Sequence, residues 1–329
     1  MRISRLELAF PAGAPGRALI LGADGAEDLS PFDPASTLIV EGMAQHHDAL
    51  KARGFRVATS AEGSFDTALV TLPRAREAAR ARIAAAAAHL APGGALWIDG
   101  QKTDGVESVL KEIKALGGIS DMQSKAHGKI ARIENPSRIP ADWAARPLSP
   151  APGFTTVPGV FSAESVDAGS AMLAAALPEK LPTRIVDLGA GWGWLSAQIL
   201  GRPGVARLHL VEADHAALEC ARANVTDPRA MFHWADARSF RLPEPVNGVI
   251  MNPPFHTGRA ADPGLGAAFI QAAAGLLTTA GRLWMVANRH LPYETELARH
   301  FAEVAEIGGD NRFKVLTATG AGARNRRTR

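Results

Sequence analysis

The chain is poor in cysteine and lacks any apolar segment of membrane-spanning length. Cys220 is the only cysteine among 329 residues, so an intrachain disulfide is excluded and nothing indicates an oxidising compartment. The longest apolar runs, around 84–88 and 267–277, fall short of the ~20 residues that a spanning helix needs. The N-terminus is basic but no apolar stretch follows it. We therefore expect no signal peptide, no membrane segment and a cytoplasmic location.

A strong excess of charge of either sign is also lacking. The 36 lysines and arginines against 33 acids give a net charge of +3, too mild to identify a nucleic-acid binder by itself. Five of the last eighteen residues are arginine, so 320–329 is expected to be a flexible basic tail that either contacts phosphates or is simply solvated. The ten histidines are scattered without cysteine or carboxylate partners at ligand spacing, and we predict no metal site.

Proline is unevenly distributed, and its distribution divides the chain. Six prolines and a glycine lie between Asn135 and Pro158, where neither helical nor strand periodicity is present. Because proline removes amide donors and blocks helices, this segment predicts a linker. Since the length favours two domains, the predicted organisation is a first domain at 1–135, a linker at 136–157, a second domain at 158–319 and the tail.

The two halves repeat one order of sequence elements. In each half a buried strand enters a glycine turn, at 18–25 and again at 185–193, and the next strand ends on an acid, Glu41 or Glu212. Three further pairs of segments follow in the same order. Apolar strands alternating with helical stretches predict an α/β fold in both halves, a mostly parallel sheet with helices on both faces. We interpret the halves as copies of one fold.

The copies differ where a ligand would bind. The first has Ile20 in place of Asp187, Asp24 in place of Gly191, and Thr-Leu-Pro-Arg at 71–74 in place of Asn-Pro-Pro-Phe at 252–255. A carboxylate is unfavourable in a turn that must closely approach an anionic or carboxylate-bearing cofactor. We therefore predict that the first half is degenerate and binds no cofactor.

The segment Ile185-Val-Asp-Leu-Gly-Ala-Gly-Trp-Gly193 is a strand followed by a glycine turn and a helix start. Gly189, Gly191 and Gly193 allow positive φ angles and leave bare main chain for a ligand, and amides at the helix start face a negative group. The negative group could be the pyrophosphate of a nicotinamide cofactor or the carboxylate of a methionine moiety. Asp187 would repel a pyrophosphate but can accept from a water or an ammonium, so the turn favours S-adenosylmethionine.

Two further acids complete the predicted cofactor site. Glu212 ends the second strand of this half, where a carboxylate can bind both ribose hydroxyls. Asp236 follows the third strand and can accept from the adenine amine. Asp214 is expected to cap a helix over 216–224 instead of binding the ligand.

The loop Asn252-Pro253-Pro254-Phe255 is the most specific pattern in the chain and follows the fourth strand of the second half. An aromatic exocyclic amine is a poor nucleophile because its lone pair is delocalised. The Asn252 oxygen and the Pro253 carbonyl can accept its two hydrogens and favour the positive charge that develops during transfer. Pro253 and Pro254 stiffen the loop, and Phe255 offers a stacking surface for a base. We predict that these four residues carry the reaction.

The second half resembles the class I S-adenosylmethionine-dependent methyltransferases, and among them the ribosomal RNA guanine-N2 methyltransferases with duplicated domains. The resemblance covers about residues 157–318 and depends on blocks at 158–162, 167–170, 187–193, 252–256, 286–293 and 309–315. It implies two Rossmann-like domains with seven-stranded sheets, a degenerate first copy that helps to hold RNA, S-adenosylmethionine as cofactor and ribosomal RNA as partner.

The resemblance also places Phe161, Asp167 and Ser170 in a segment that folds over the cofactor, although a hydrophobic staple and helix cap would explain them nearly as well. Two features depart from the family pattern. Glu212 stands where Asp is commoner, and Trp192 and Trp194 are bulky in a turn that usually carries smaller residues. The tryptophans make the shape of the pocket an open question.

Three other functions fit parts of the sequence. Asn-Pro-Pro-aromatic loops also serve adenine in RNA or DNA and glutamine side chains in proteins, and only the flanking blocks favour guanine in ribosomal RNA. A non-catalytic RNA-binding or assembly protein made of two inert copies is disfavoured because Asp187, Glu212 and Asn252 are intact. A nicotinamide oxidoreductase is disfavoured by Asp187 and by the lack of a catalytic Tyr-Lys pair.

Overall fold

A computed structural model describes residues 4–254, 256–257, 260–261 and 263–322. The chain divides into two compact units, Met1–Pro147 with Val157–Gly159, and Leu148–Thr156 with Val160–Arg329. The proline-rich segment predicted as a linker is thus shared between the units. It contains two short 3-10 helices, Pro136–Arg138 and Ala141–Trp143, and the Trp143 side chain is buried in the core of the first unit. Most of the predicted basic tail, 323–329, lies outside the described residues.

The first unit is built on a seven-stranded sheet. Its strands are β1 (Ala18–Leu21), β2 (Thr37–Val40), β3 (Arg56–Ala58), β4 (Phe65–Thr71), β5 (Leu90–Gln101), β6 (Ile119–Lys125) and β7 (Gly128–Ile133). Its helices are α1 (Arg5–Ala9), α2 (Ala44–Ala52), α3 (Arg76–Ala88) and α4 (Val106–Leu116). The strand order is β3-β2-β1-β4-β5-β7-β6, and β7 runs antiparallel to both of its neighbours.

The second unit has the same plan. Its main sheet contains β8 (Arg184–Leu188), β9 (Arg207–Glu212), β10 (Ala230–Trp234), β11 (Val246–Met251), β14 (Leu277–Asn288), β15 (Glu303–Gly309) and β16 (Phe313–Thr319). A short pair, β12 (His256–Thr257) and β13 (Ala260–Ala261), separates β11 from the next helix. The helices are α5 (Ala168–Ala176), α6 (Trp194–Leu200), α7 (His215–Asn224), α8 (Pro263–Leu276) and α9 (Tyr293–His300).

The strand order of the second sheet, β10-β9-β8-β11-β14-β16-β15, repeats that of the first strand for strand. Again only the last strands, around β16, are antiparallel. The predicted fold class, two Rossmann-like sheets with helices, is therefore confirmed. Identical strand orders are also what duplication of one fold would produce.

The apolar strands of the second unit are buried on both faces. Along β8, Ile185 joins one core cluster and Val186 and Leu188 join another, because successive side chains of a strand point to opposite faces. Core residues therefore cover both faces of this strand, which explains why Ile185, Val186 and Leu188 are all apolar. Among the described residues no helix combines the length and apolarity needed to cross a membrane.

Helix starts in the second unit follow their capping residues. Asp214 accepts from the Ala216 amide at 2.9 Å, which confirms it as the cap of α7. Asp167 accepts from the Ser170 amide at 2.7 Å and caps α5. Each carboxylate satisfies an amide that has no partner within its helix.

Candidate active site

The glycine turn between β8 and α6 has the conformation that the sequence requires. Gly189, Gly191 and Gly193 have φ angles of 85°, 55° and 88°, in the left-handed region that favours glycine. The Gly189 and Ala190 amides donate to the Val211 carbonyl, which ties the turn to β9. The turn is therefore fixed to the carboxyl edge of the sheet.

Two of these glycines are needed for different reasons. A Cβ on Gly193 would lie 2.9 Å from Val225 Cγ2 and 3.2 Å from the Ala221 Cα, so this glycine allows α6 to pack against α7. A Cβ on Gly191 would meet nothing within 4 Å. Gly191 therefore faces open space and leaves the main chain accessible to a ligand.

Asp187 lies in β8 and is fully buried. Its Oδ2 accepts from Ser196 Oγ at 2.6 Å, whereas its Oδ1 is buried without a hydrogen-bond partner. Burial raises the pKa of Asp187 to about 7, opposed by the Ser196 hydrogen bond and helped by the nearby charge of Glu212. A carboxylate oxygen left unsatisfied in this way costs about 1–3 kcal/mol, which a bound water or ammonium would relieve.

Glu212 is held by the turn at the end of β9. Its Oε2 accepts from the Gly191 amide and its Oε1 from the Asp214 amide, both at 2.8 Å. Burial raises the pKa of Glu212, although these amide hydrogen bonds act in the opposite direction. Each carboxylate oxygen has a second lone pair, so the fixed carboxylate can still accept from the two hydroxyls of a ribose.

Asn252 lies beside the glycine turn. β11 and β8 are parallel neighbours in which Ile250 pairs with Asp187, so the chain leaves both strands at the same edge. A cleft with an empty volume of about 430 Å³ is lined by residues from both places, among them Gly189, Gly191, Asn252 and Phe161. The two predicted motifs therefore meet at one site.

The Asn252 side chain is itself fixed. Its Nδ2 donates to Asp167 Oδ2 at 2.8 Å and to Ser170 Oγ at 2.9 Å. Both of those residues lie at the start of α5 and line the same cleft. Sequence reasoning assigned them to a cap or to a cofactor segment and missed this contact with Asn252.

The rest of the predicted loop is described only in part. Pro253 is buried and Pro254 is exposed. Phe255, predicted to stack on a base, lies outside the described residues, and the roles of all three remain predictions.

Asp236 and Phe161 were also predicted at the cofactor site. The Asp236 carboxylate accepts hydrogen bonds from Arg238, with 2.7 Å between Oδ2 and Nη2. Burial raises the pKa of Asp236, but the hydrogen bonds from Arg238 lower it by more, so that the net shift is downward. Its contact with adenine remains a prediction. Phe161 is 63% exposed at the cleft, and its carbonyl accepts from Trp192 Nε1 at 3.1 Å.

The bulky Trp192 of the glycine turn packs away in the interior of the second unit. The Trp192 side chain is buried and packs edge-on against Phe154, with 5.6 Å between ring centroids. Asn224, at the end of α7, donates to the carbonyls of Trp192 and Thr155 at 2.8 and 2.9 Å. Asn224 gave no signal in the sequence, yet it joins the segment at 154–155 to the glycine turn.

Arg289, which follows β14, is bound within the β15–β16 hairpin. Its guanidinium donates to Glu306 at 2.8 Å and to the carbonyl of Phe313 at 3.1 Å, and also to that of Asp310. Arg289 therefore has a structural role, because these bonds connect the end of β14 to the β15–β16 hairpin.

In the first unit, the space beside the corresponding glycine turn is filled by an arginine side chain of the same unit. Gly22, with a φ angle of 85°, corresponds to Gly189. The Arg82 guanidinium lies where a Cβ on Gly22 would be, and it donates to the carbonyl of Thr71, the position that corresponds to Asn252. In the second unit a Cβ placed on Gly189 would lie 3.5 Å from Phe269 Cε1, an ordinary contact, so that ring does not fill the corresponding space.

The turn amides of the first unit are also engaged. The Glu27 carboxylate accepts from the amides of Asp24 and Gly25 at 3.0 Å. Burial, together with the neighbouring Asp24, raises the pKa of Glu27 to about 7. The amides of Asp24 and Gly25 are thus paired within the unit, as the Gly191 amide is with Glu212 in the second unit, and the absence of a cofactor from the first copy stays a prediction.

The strand order, the glycine turn after the first strand of the sheet and the Asn252 loop at the same edge define a class I S-adenosylmethionine-dependent methyltransferase. Comparison with known families agrees. A model described as the methyltransferase small domain matches residues 152–317, and its N-terminal companion domain matches residues 36–134. The chain belongs to the methyltransferase small domain family.

Individual relatives cover most of the chain. It is 31% identical over 266 residues to the ribosomal RNA small subunit methyltransferase C of Shewanella halifaxensis, covering 77% of each chain. Its identity with the protein of the same name from Pseudomonas paraeruginosa is 32% over 269 residues, covering 78% and 80%. A T. thermophilus 16S rRNA N2 methyltransferase, solved with AdoMet and guanosine, superposes with a TM-score of 0.80 at 25% identity, covering 95% and 91%. The predicted resemblance is confirmed.

Proposed function

We propose that this protein transfers the methyl group of S-adenosylmethionine to the exocyclic N2 amine of a guanine in small-subunit ribosomal RNA. The observation that carries the proposal is the position of the Asn252 carboxamide beside the glycine turn, with its Nδ2 group donating to Asp167 and Ser170. Support for the substrate comes from the relatives, which are named for small-subunit ribosomal RNA, and from the related structure that holds guanosine.

The residues of the second unit fit the cofactor. The main chain at Gly191 is open to a ligand, and the Glu212 carboxylate is fixed where a ribose can be bound. The unsatisfied Oδ1 of Asp187 provides an acceptor for a water or ammonium at the methionine end. When bound, S-adenosylmethionine supplies an electrophilic methyl group on a sulfonium.

Asn252 acts on the substrate amine. Its side-chain oxygen and the Pro253 carbonyl accept the two N–H hydrogens, hold the nitrogen toward the methyl group and favour its pyramidal form. Because positive charge develops on this nitrogen during transfer, fixed acceptors stabilise the transition state more than the ground state. No strong base is needed because the amine loses its proton after transfer. Alignment of the two reactants can contribute up to roughly 7–11 kcal/mol.

The substrate experiment compares labelled methyl transfer to naked small-subunit rRNA, assembled small subunits, duplex DNA and protein. We expect transfer to rRNA, with label recovered as N2-methylguanine after digestion. A guanine in a helix has to be extruded before reaction, so naked rRNA should be the better substrate. Label on adenine or glutamine would contradict the guanine assignment. Tight RNA binding without cofactor binding would favour the non-catalytic assembly protein.

The binding of S-adenosylmethionine is expected to depend on pH through Asp187. Its pKa of about 7 lies above the ordinary 3.8, so between these pH values the folded protein retains a proton that the unfolded chain releases. The contribution of Asp187 to the stability of the fold therefore falls as pH rises from about 4 to about 7. A cationic ligand favours the ionised carboxylate. We therefore expect affinity to rise about tenfold between pH 6 and pH 8, with Glu212 acting in the same direction.

Calorimetric titrations at pH 6 and pH 8 test this expectation. Asp187→Asn removes the titrating group and leaves a side chain of nearly the same shape, so most of the pH dependence should disappear. Equal affinity of the unaltered protein at both pH values would contradict the role of Asp187.

The proposal also assigns a role to the first unit and to the linker segment. We infer that domain 1–135 contacts or supports the RNA substrate, that 158–319 carries the reaction, and that 136–157 connects them. We also infer a cytoplasmic location for the enzyme, because that is where it would meet a bacterial ribosomal RNA.

A further inference from the structure

We propose that Asp167 and Ser170 are positioning residues that determine which end of the Asn252 carboxamide faces the substrate. This inference rests on the proposed function, because it concerns the amine acceptor at position 252. Asn252 is 85 residues from Asp167 and 82 from Ser170 along the chain, and the fold alone brings them together.

The hydrogen bonds leave no ambiguity about the amide orientation. An asparagine amide has two N–H donors and one carbonyl oxygen. The Asp167 carboxylate can only accept, so its Oδ2, at 2.8 Å from Nδ2, requires the NH2 group on its side. Ser170 Oγ, at 2.9 Å, accepts the second hydrogen in this orientation. The oxygen is then the atom available to an amine. An amide turned the other way would present N–H groups to N–H groups and repel the substrate.

The two acceptors are themselves rigid. Asp167 is the N-cap of α5, and the same Oδ2 also accepts from the Ser170 amide at 2.7 Å. α5 is anchored in the core through Leu173, which is fully buried. A Cβ on Gly169 would lie 3.0 Å from Asp167 Oδ2 and 3.5 Å from Val286 Cγ1, so glycine leaves room for the carboxylate. A capped and packed helix therefore holds Asn252 in place.

Charge gives Asp167 a second effect. A carboxylate that accepts from an amide NH2 polarises that amide, because hydrogen bonds in a chain strengthen one another. The Asn252 oxygen becomes a better acceptor at the point where positive charge develops. Ser170 supplies orientation without this charge.

The first unit provides an internal comparison. Its helix before the first strand, α1, is also capped, but Ser4 accepts from the Glu7 amide and Glu7 accepts from the Ser4 amide. The position corresponding to Asn252 is Thr71, which has no amide to orient. Capping alone is thus possible without a carboxylate that reaches the reacting loop.

The kinetic test compares Asp167→Ala with Asp167→Asn. Alanine removes both the cap and the acceptor, whereas asparagine is an equally good cap and keeps an acceptor oxygen. Because a misplacement of about 1 Å can cost about 100-fold, we expect Asp167→Ala to lower kcat about 100-fold, with KM for rRNA and Kd for S-adenosylmethionine changed less than about threefold. Asp167→Asn should stay within about tenfold of the unaltered enzyme.

Two controls separate positioning from stability. Ser4→Ala removes a helix cap in the first unit and should leave kcat unchanged. The double variant Asn252→Asp with Asp167→Asn exchanges the two residues, so the donor is at 167 and the acceptor at 252. In Asn252→Asp alone, two carboxylates face and repel each other. The kcat of the double variant should therefore be at least about tenfold higher than that of Asn252→Asp. Equal kcat for Asp167→Ala and Asp167→Asn, or no recovery in the exchange, would overturn the proposal.

An NMR measurement tests the contact without any substrate. The two Asn252 Nδ2 hydrogens, identified by their loss in Asn252→Asp, should exchange slowly in the cofactor-free protein and rapidly in Asp167→Ala. Rapid exchange in the unaltered protein would overturn the positioning role whatever the substrate proves to be. Absence of methyl transfer to rRNA with slow exchange intact would instead contradict only the proposed function.

Discussion

Asn252→Ala should abolish most of the turnover and leave cofactor binding intact. The substitution removes the only side-chain oxygen that we assign to the substrate amine, and loss of one preorganised electrostatic partner of a transition state typically lowers kcat about 100- to 1,000-fold. The cofactor is bound by the turn at 187–193 and by Glu212, which this change does not touch. Single-turnover methyl transfer and calorimetry with S-adenosylmethionine measure the two effects separately.

Asn247→Ala is the matched control for this prediction. Asn247 lies near the start of β11, the strand that Asn252 follows, and it accepts from Thr183 Oγ1 at 3.2 Å. Its loss should change stability slightly and leave turnover unchanged. Turnover retained by Asn252→Ala would remove Asn252 from the reaction and leave the Pro253 carbonyl as the remaining acceptor.

Gly191→Asp should strongly weaken cofactor binding without unfolding the protein. The backbone there has a φ angle of 55°, which aspartate adopts more readily than most residues, and a Cβ would meet nothing within 4 Å. The new carboxylate would enter the space used by the ligand and repel its carboxylate. The first half has aspartate at the corresponding position, Asp24. We expect at least about 100-fold weaker binding, roughly 2.7 kcal/mol.

Gly322→Asp provides the comparison for this change. Gly322 also has a positive φ angle, 69°, and open space at its Cβ, but it follows β16 and does not line the cleft. Thermal unfolding of both variants and calorimetry with S-adenosylmethionine should show similar melting temperatures and a binding defect in Gly191→Asp alone. Unchanged affinity in Gly191→Asp would mean that the ligand does not approach the main chain at this turn.

The fold was predictable because its signals are local and repeated. Apolar strands, glycine turns and the acids that end strands occur twice in one order, and the two sheets have the same strand order. The helix caps Asp214 and Asp167 were likewise readable, since a cap depends on residues two or three positions away. The proline-rich segment was less informative, because proline excludes regular structure without saying which unit the segment packs against.

Within the site, the sequence determined which residues stand at the strand ends, because backbone conformation and strand termination are specified by neighbouring residues. Only the tertiary structure decided their partners: Asp167 and Ser170 around Asn252, Arg82 over Gly22, and Arg238 on Asp236. It also decided that Asp187 is buried with one oxygen unsatisfied, which shifts its pKa. Desolvation and the reach of a side chain across strands depend on what the whole chain packs around a residue, and no short stretch of sequence contains that information.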